Sequence, residues 1–415
     1  MLFLSLTILF SPAFSYSPLT HEAIVDSVWR SNIVPLLRSR YPNATEDEIL
    51  HSKAYAYGGS IIQDVGYYPH GSKFFSDLTH YFRSGDFVIA LIQDSQDVDD
   101  YAFALGALAH YSADNNGHHL ATNLAVPLLY PRLQKKYGPV VTYEDNPIAH
   151  VKTEFGFDVL EVAQGRYTAE NYHNFIGFNV SLPLLERAFF ETYGLDLKSI
   201  FPNEERSMNS YRSTVSELLP KATRIAWALK KNEIARDMPG ITRKKFLYNL
   251  SRAEYEKDWG GNYQPPTVAD RFLAFLTRLL PRIGPLRVLQ FRTPTPAAEK
   301  LFESSFNVSL DRYRALLSQL SESQLQLPNS NFDIGEITAR GQYHLSDTTC
   351  AVLLDRLAAL QFATASLPLR ADLIAYFSSA APSSQKKENV KANLKIQEHL
   401  RELEQSSTST SLNLR

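Results

Sequence analysis

The chain has 415 residues, of which 44% are hydrophobic and 21% are charged, and its formal net charge is −2. This composition is typical of a soluble globular protein, and the near-neutral charge argues against binding of polyanions through bulk positive charge. Cys350 is the single cysteine, which excludes an intrachain disulfide and makes it a candidate for a small buried apolar residue. Stability therefore has to come from the protein core or from bound metal.

The N-terminus has the pattern of a signal peptide. The first ten residues form an apolar run that is too short to span a bilayer, and Ala13 and Ser15 stand where small residues precede a signal-peptidase cut. We therefore predict a signal peptide over 1–15, Tyr16 as the mature N-terminus, and a secreted protein, periplasmic or extracellular. Because no Lys or Arg precedes the apolar run, an uncleaved anchor is the alternative.

Helical spacing and helix-start signals predict an all-α fold. Ser17-Pro18 marks the start of a first helix, and Thr45 with Glu48 forms a capping box for a second helix that ends at Gly58-Gly59. We interpret residues 60–86, with their glycines, aromatics and Pro69, as a long loop. Further helices are predicted over about 95–113, from Asn146-Pro147, over 182–195 and 208–236, and from a Ser346 cap through about 361, with a basic, proline-broken stretch over 265–297.

The chain divides into four predicted parts. After the signal peptide, residues 16–200 form the expected catalytic core, and 201–378 form a helical extension or a continuation of the same domain. Residues 379–415 are rich in Ser, Lys, Gln and Glu, and we expect a polar tail that is disordered or partly helical.

Eight of the eleven histidines fall in the first 150 residues, and two of them have a carboxylate four residues later. His110 with Asp114, and His150 with Glu154, are each neighbours on one helical face and can hold one cation from two sides. Gly106, one turn before His110, leaves space for another helix or a metal. Nitrogen and oxygen ligands of this kind favour zinc, with manganese or iron as weaker alternatives.

The segments ALAHYSADNNGHH and HVKTEFGFD resemble the zinc-dependent phospholipase C and P1/S1 nuclease superfamily. The resemblance implies an all-helical fold, three zinc ions in one cluster, and ligands that include the mature N-terminal residue. It places the metal ligands, in chain order, at Tyr16, His21, Asp64, His80, His110, Asp114, His118, His150 and Glu154.

The match departs from the family pattern in two places. Tyr16 stands where the family has Trp, but the ligands there are the terminal amine and the backbone carbonyl. The segment after Asp114 is short, so that His118 or His119 is the next ligand. We prefer His118 because Gly117 can turn the chain to present it.

Several residues near these positions have two interpretations. Asp158, one turn beyond Glu154, either orients a ligand imidazole or is a surface charge. Aromatic residues beside the expected site either stack on substrate or simply pack; these are Tyr67, Tyr68, Phe74 and Phe75. We interpret His51 and His70 as surface residues or as residues that support the ligands.

The resemblance implies phosphoester hydrolysis with Asp64 as the catalytic general base. We expect a phospholipid or other phosphodiester substrate, transient contact with a membrane surface and no stable nucleic-acid complex. The absence of disulfides and the near-neutral charge favour a phospholipase C over a single-strand nuclease. A metal-binding protein that has lost catalysis is the alternative from a different class.

Overall fold

The computed structural model describes residues 18–68, 70–164, 178–201, 203–213, 291–379 and 389–412, with the isolated Asn232 and Arg236. The predicted signal peptide and Tyr16 lie outside the described residues. Most of the helix predicted over 208–236 and most of the basic stretch over 265–297 also lie outside them.

The described part of the chain is almost wholly helical, which confirms the all-α prediction. Single turns of π-helix lie at Trp29–Ile33 and His118–Thr122, and a 3-10 helix at Ile62–Tyr67. The α-helices run, in chain order, α1 Pro18–Val28, α2 Val34–Arg40, α3 Glu46–Gly59, α4 Lys73–Tyr81, α5 Ser84–Gln93, α6 Val98–Gly117, α7 Asn123–Leu129, α8 Pro131–Tyr137, α9 Pro147–Gln164, α10 Leu182–Tyr193, α11 Leu197–Ile200, α12 Glu204–Ser213, α13 Pro296–Ser321, α14 His344–Ala359, α15 Leu367–Ser378 and α16 Asn389–Leu412.

Helix α6 lies at the centre of the structure, with α3 and α13 packed along it and α1 and α5 beside it. Gly106 brings α6 and α3 together, because a Cβ atom at this position would lie 2.0 Å from the Ala56 carbonyl oxygen. The space that Gly106 leaves is therefore filled by a helix and not by a metal.

Several helices begin at the residues that the local start signals predicted. Helix α1 begins at Pro18, and Thr45 and Glu48 form both hydrogen bonds of a capping box at the start of α3. At the start of α9, the Asn146 side chain accepts a hydrogen bond of 2.9 Å from the Ala149 amide.

The interpretation of residues 60–86 as a loop is wrong. This segment contains the 3-10 helix, all of α4 and the start of α5. Helix α4 is short and amphipathic, with Phe75 and Leu78 buried and Lys73 exposed, and Arg83 (φ 52°) turns the chain sharply before α5. Short helices separated by such turns do not produce the long periodic pattern that identifies a helix in sequence.

A two-stranded antiparallel hairpin follows α13. Strand β1 (Ser330–Asn331) pairs with β2 (Glu336–Ile337), and Gly335, with a φ of 70°, helps to close the turn. The predicted cap at Ser346 is wrong, since α14 begins at His344. Ser346 is buried inside that helix, where its hydroxyl accepts a hydrogen bond from the Asn331 amide.

The C-terminal elements share the core of the N-terminal ones. One apolar cluster of buried residues extends from Leu19 in α1 to Leu403 in α16. Arg370, nearly buried, donates hydrogen bonds to the Leu403 carbonyl and the Ser406 hydroxyl. Of the two alternatives for the tail, disorder does not apply to Asn389–Leu412, because packing against α14 and α15 supports a helix there. Among the helices that the structure describes, none is long and apolar enough to cross a membrane.

Candidate metal centre

Four buried side chains converge at the centre of the fold. Asp64 comes from the 3-10 helix, His80 from α4, and His110 and Asp114 from consecutive turns of α6. One ligand atom from each residue lies within 4.8 Å of the others. Three separate elements thus bring two imidazoles and two carboxylates to one point, which is the donor set of a metal site.

The two imidazoles are each held by a backbone carbonyl. His80 Nδ1 donates to the Ser76 carbonyl at 2.8 Å, and His110 Nδ1 donates to the Ser60 carbonyl at 3.0 Å. Both Nε2 atoms therefore point toward the carboxylates, at 3.2 Å from Asp64 Oδ1 for His80 and 3.0 Å from Asp114 Oδ2 for His110. A hydrogen bond on one ring nitrogen that orients the other is usual for histidines that bind metal.

A second group of ligands lies on the other side of Asp114. His118 Nε2 is 4.0 Å from Asp114 Oδ2 and 3.7 Å from Glu154 Oε1, and His150 Nδ1 is 3.2 Å from the same glutamate oxygen. His21 Nε2 is 3.5 Å from Asp114 Oδ1. Asp114 thus connects both groups, and the structure brings together every predicted ligand that it describes.

His118, and not His119, faces this centre. His118 is buried, whereas His119 is only partly buried and lies against Gly335. Gly117 does not turn the chain, because its backbone is helical (φ −64°). The continued helix places His118 one turn beyond Asp114, and this regular geometry explains its orientation.

Burial and mutual charge set the protonation of these groups. Burial opposes protonation of His80, but Asp114 and Asp64 beside it raise its pKa to about 10. Burial by itself would raise the pKa of Asp114, yet His110 and His118 hold it well below its usual range. Burial and the neighbouring His118 lower the pKa of His150 to about 3, so His150 is neutral at physiological pH and has a lone pair for a metal.

These residues fit a bound cation. Within the described part of the chain, buried Asp64 Oδ1 and His150 Nδ1 have no hydrogen-bond partner, although each lies beside an oppositely polarised side chain. Buried polar atoms without hydrogen bonds are costly unless an ion or water satisfies them. Imidazole nitrogens and carboxylate oxygens without thiolates are ligands that suit zinc.

Comparison with known protein families finds a match in the N-terminal part of the chain. Residues 20–203 match the family model described as zinc dependent phospholipase C. The match covers less than half of the chain. No curated protein and no solved structure matches the chain. This match and the buried cluster together support a zinc-dependent phosphoesterase.

Sequence reasoning missed a residue that lies outside the zinc-dependent phospholipase C segment. Asp333, in the turn of the C-terminal hairpin, is buried, and its carboxylate accepts a hydrogen bond of 2.8 Å from His118 Nδ1. The hydroxyls of Tyr81 and Tyr343 also donate to this carboxylate. Burial would raise the pKa of Asp333, but His118 lowers it to about 2, so that it is ionised. Its separation from His118 by 215 positions left no local signal.

The same hairpin packs against two ligands of the zinc-dependent phospholipase C segment. The Phe332 ring lies 5.3 Å from the His80 ring and 6.0 Å from the His110 ring, and its amide donates to the His80 carbonyl. The Asn123 side chain links the hairpin to His150. Its Oδ1 lies 3.0 Å from His150 Nε2, and its Nδ2 donates a hydrogen bond to the Asp333 carbonyl. The hairpin therefore packs against the centre and supports it.

The interpretation of Asp158 as a surface charge is wrong. Its carboxylate is buried and accepts hydrogen bonds from the Leu19 amide at 3.2 Å and the Thr20 hydroxyl at 2.8 Å. It thus holds the first turn of α1, immediately before the ligand His21. The sequence predicted the start of α1 at Pro18, but it did not predict that Asp158 on α9 accepts hydrogen bonds from the first turn of this helix.

Of the aromatic residues predicted beside the metal centre, some lie near its ligands and others lie in the apolar core. Tyr67 lies 5.9 Å from the His80 ring, whereas Tyr68 and Phe75 are buried in the apolar core. Phe74 is partly buried beside the Arg356 guanidinium.

His51 is a surface residue, with 56% of its side chain exposed. His70 lies in a turn (φ 67°), and its carbonyl accepts a hydrogen bond from the Ser207 hydroxyl. Cys350 is buried, as expected.

Proposed function

We propose that the protein is a secreted, zinc-dependent phosphodiester hydrolase of the phospholipase C type. The observation that carries this proposal is the buried convergence of Asp64, His80, His110 and Asp114 within the segment that matches the family. His118, His150 and Glu154 extend the donor set on the far side of Asp114. The set is large enough for more than one cation, and we propose three zinc ions, with Tyr16 and His21 completing the ligands.

Zinc bound by these residues would supply positive charge for a phosphoryl group and would acidify a water molecule near neutral pH. The protein's own contribution is to hold the ligands rigidly and to move a proton. Asp64 is our candidate for the general base, because its carboxylate is buried among the metal ligands and burial raises its pKa above the usual value. The carbonyls of Ser60 and Ser76 fix the orientation of His110 and His80 during this transfer.

We propose a phospholipid as the substrate and transient contact with a membrane surface. The net charge of −2 does not favour strong binding of a nucleic acid, and we expect no stable complex with one. The apolar run before Ala13 and Ser15 supports export and cleavage before Tyr16. Sequencing the N-terminus of the mature protein tests this part of the proposal, since a retained leader would contradict it.

Metal analysis and substrate comparison test the enzymatic part. We expect the purified protein to contain zinc and to hydrolyse lecithin faster than single-stranded DNA, and a chelator should abolish both activities reversibly. His110→Ala should lose metal and activity together. His51→Ala, which removes an exposed histidine of the same segment, is the matched control and should retain both.

The outcomes separate three functions. Bound zinc with hydrolysis of DNA but not of lecithin would favour the nuclease. Bound zinc without hydrolysis of lecithin, DNA or a chromogenic phosphodiester would favour the non-catalytic metal-binding protein. A protein without zinc whose activity is unaffected by chelation would overturn the proposal.

A further inference from the structure

A cavity of about 670 Å³ opens beside the N-terminal ends of α8 and α9. Three basic side chains line it, contributed by Arg132 on α8, Lys152 on α9 and Arg292 before α13. Leu133, Ile148 and Tyr130 form part of its wall. The cavity thus combines positive charge with apolar surface, and it contains none of the metal ligands.

Two of the three basic side chains of this cavity form no ion pair within the described residues. No acidic residue lines it, and neither Arg132 nor Arg292 forms an ion pair with a carboxylate in the part of the chain that the structure describes. The Arg292 guanidinium instead lies 5.3 Å from the centre of the Tyr130 ring. The sequence from 115 to 143 contains no Asp or Glu, although it carries Arg132, Lys135 and Lys136. In a chain of net charge −2, this is a local excess of positive charge.

Apolar side chains are exposed in the same part of the molecule. Ile148, which lines the cavity, is 42% exposed, and Leu128 and Val140 are 42% and 46% exposed. Beneath the cavity, Leu133 and Tyr130 pack on a small apolar cluster formed by Val126, Val141 and Ala149. Exposed aliphatic side chains among basic ones are typical of surfaces that bind membrane interfaces, where charge attracts the lipid headgroups and apolar groups enter the interface.

Residues of the cavity wall adjoin residues of the metal centre. Ala149 at its wall immediately precedes His150, and Asn123, which contacts His150 Nε2, accepts a hydrogen bond from the Val141 amide at 2.9 Å. A ligand held by Arg132 and Arg292 would therefore lie close to the metal centre.

We infer that this cavity binds the phosphate-bearing headgroup of an anionic phospholipid and docks the protein on a negatively charged membrane. This inference rests on the proposed phospholipase function and adds a second lipid site, distinct from the metal centre. Exposed Ile148 favours a membrane over a nucleic acid, because an aliphatic side chain gains nothing from a hydrated phosphate backbone.

Cosedimentation of the full-length, zinc-bound protein with vesicles tests the inference. The vesicles contain phosphatidylcholine alone or phosphatidylcholine and phosphatidylserine in equal amounts. The double variant Arg132→Ala/Arg292→Ala should bind the mixed vesicles roughly 30-fold more weakly than the wild type, from the loss of two basic residues at the surface. Ile148→Ser should also weaken this binding, because it removes the aliphatic contact.

Two controls exclude general effects of charge or folding. Arg30→Ala/Arg312→Ala removes two exposed arginines elsewhere and should leave vesicle binding unchanged. Arg132→Lys/Arg292→Lys retains the charge and should retain most of the binding. Hydrolysis of a soluble chromogenic phosphodiester should be equal in all of these variants, since none changes the metal centre.

Vesicle binding and hydrolysis of the soluble phosphodiester test the docking site and the proposed function separately. Mixed-vesicle binding that is unchanged in Arg132→Ala/Arg292→Ala would overturn the docking site even if lecithin is hydrolysed. The docking site would also be overturned if Arg132→Ala/Arg292→Ala lost binding to a single-stranded oligonucleotide but still bound mixed vesicles. A failure of the proposed function appears separately, as absent hydrolysis of the soluble phosphodiester by the wild type.

Discussion

At the scale of single residues, Asp333 is the group that links the C-terminal part of the chain to the metal centre. Its carboxylate accepts a hydrogen bond from His118 Nδ1 and leaves Nε2 directed at Asp114 and Glu154. Partners that fix a ligand imidazole contribute strongly to metal affinity although they do not touch the metal. Asp333 is accordingly a positioning residue for His118.

Replacing this carboxylate should weaken metal binding. We expect Asp333→Asn to lower zinc affinity by about 10- to 100-fold, because the amide no longer holds His118 by a charged hydrogen bond. Competition with a chromophoric chelator measures the effect. Asp311→Asn on α13, whose carboxylate is 76% exposed, is the control. Equal zinc affinity of the two variants would show that Asp333 does not position His118.

Asp158 provides a second test, on stability. Asp158→Ala removes the hydrogen bonds to the Leu19 amide and the Thr20 hydroxyl and should lower the free energy of unfolding by about 1–2 kcal/mol. Urea denaturation measures this change. Thr20→Val removes only one of the two bonds and should cost less; a loss as large as that of Asp158→Ala would contradict the role of Asp158 as the cap of α1.

At the scale of elements, the close packing of α6 on α3 carries the metal centre. Gly106→Ala should destabilise the protein by about 1–3 kcal/mol, because the new Cβ meets the Ala56 backbone and the helices have to separate. The melting temperature reports this loss. Gly156→Ala on α9 is the control, since its nearest neighbour is the Arg292 carbonyl oxygen at 3.1 Å. Melting temperatures that fall equally would argue against a special constraint at Gly106.

Elements were predictable where their signals are local. The His110–Asp114 and His150–Glu154 pairs, the capping box at Thr45 and the start of α9 each depend on residues within one helical turn. Helix α4 was missed because its amphipathic pattern is short, and the partners Asp333 and Asp158 were missed because tertiary folding alone brings them to His118 and α1. The order of the metal ligands came from family resemblance, and helical spacing alone supplied only the two pairs.

At the scale of the whole molecule, the family segment depends on the chain beyond it. Helix α13 packs along α6, and the hairpin supplies both Phe332 and Asp333 to the metal centre. A chain that ends at Ser213 would expose the apolar surface of α6 that α13 covers. It should therefore lose cooperative unfolding and tight zinc binding. Near-UV circular dichroism and zinc content test both expectations.

A shorter truncation is the control for this prediction. A chain that ends at Ser379 lacks only α16 among the described elements, so the hairpin and α13 remain. It should be less stable, because burial of Leu403 is lost, but it should still bind zinc. Tight zinc binding by the chain that ends at Ser213 would show that the family segment is self-sufficient.

The late position of the hairpin in the chain has a consequence for biosynthesis. Translation produces His21 first and Asp333 only after more than three hundred further residues, so a nascent polypeptide carries its imidazoles before the aspartate that aligns one of them. The centre therefore cannot be completed before the hairpin has been translated. A ribosome-bound chain stalled ahead of β1 would exchange its cation more readily than the finished protein.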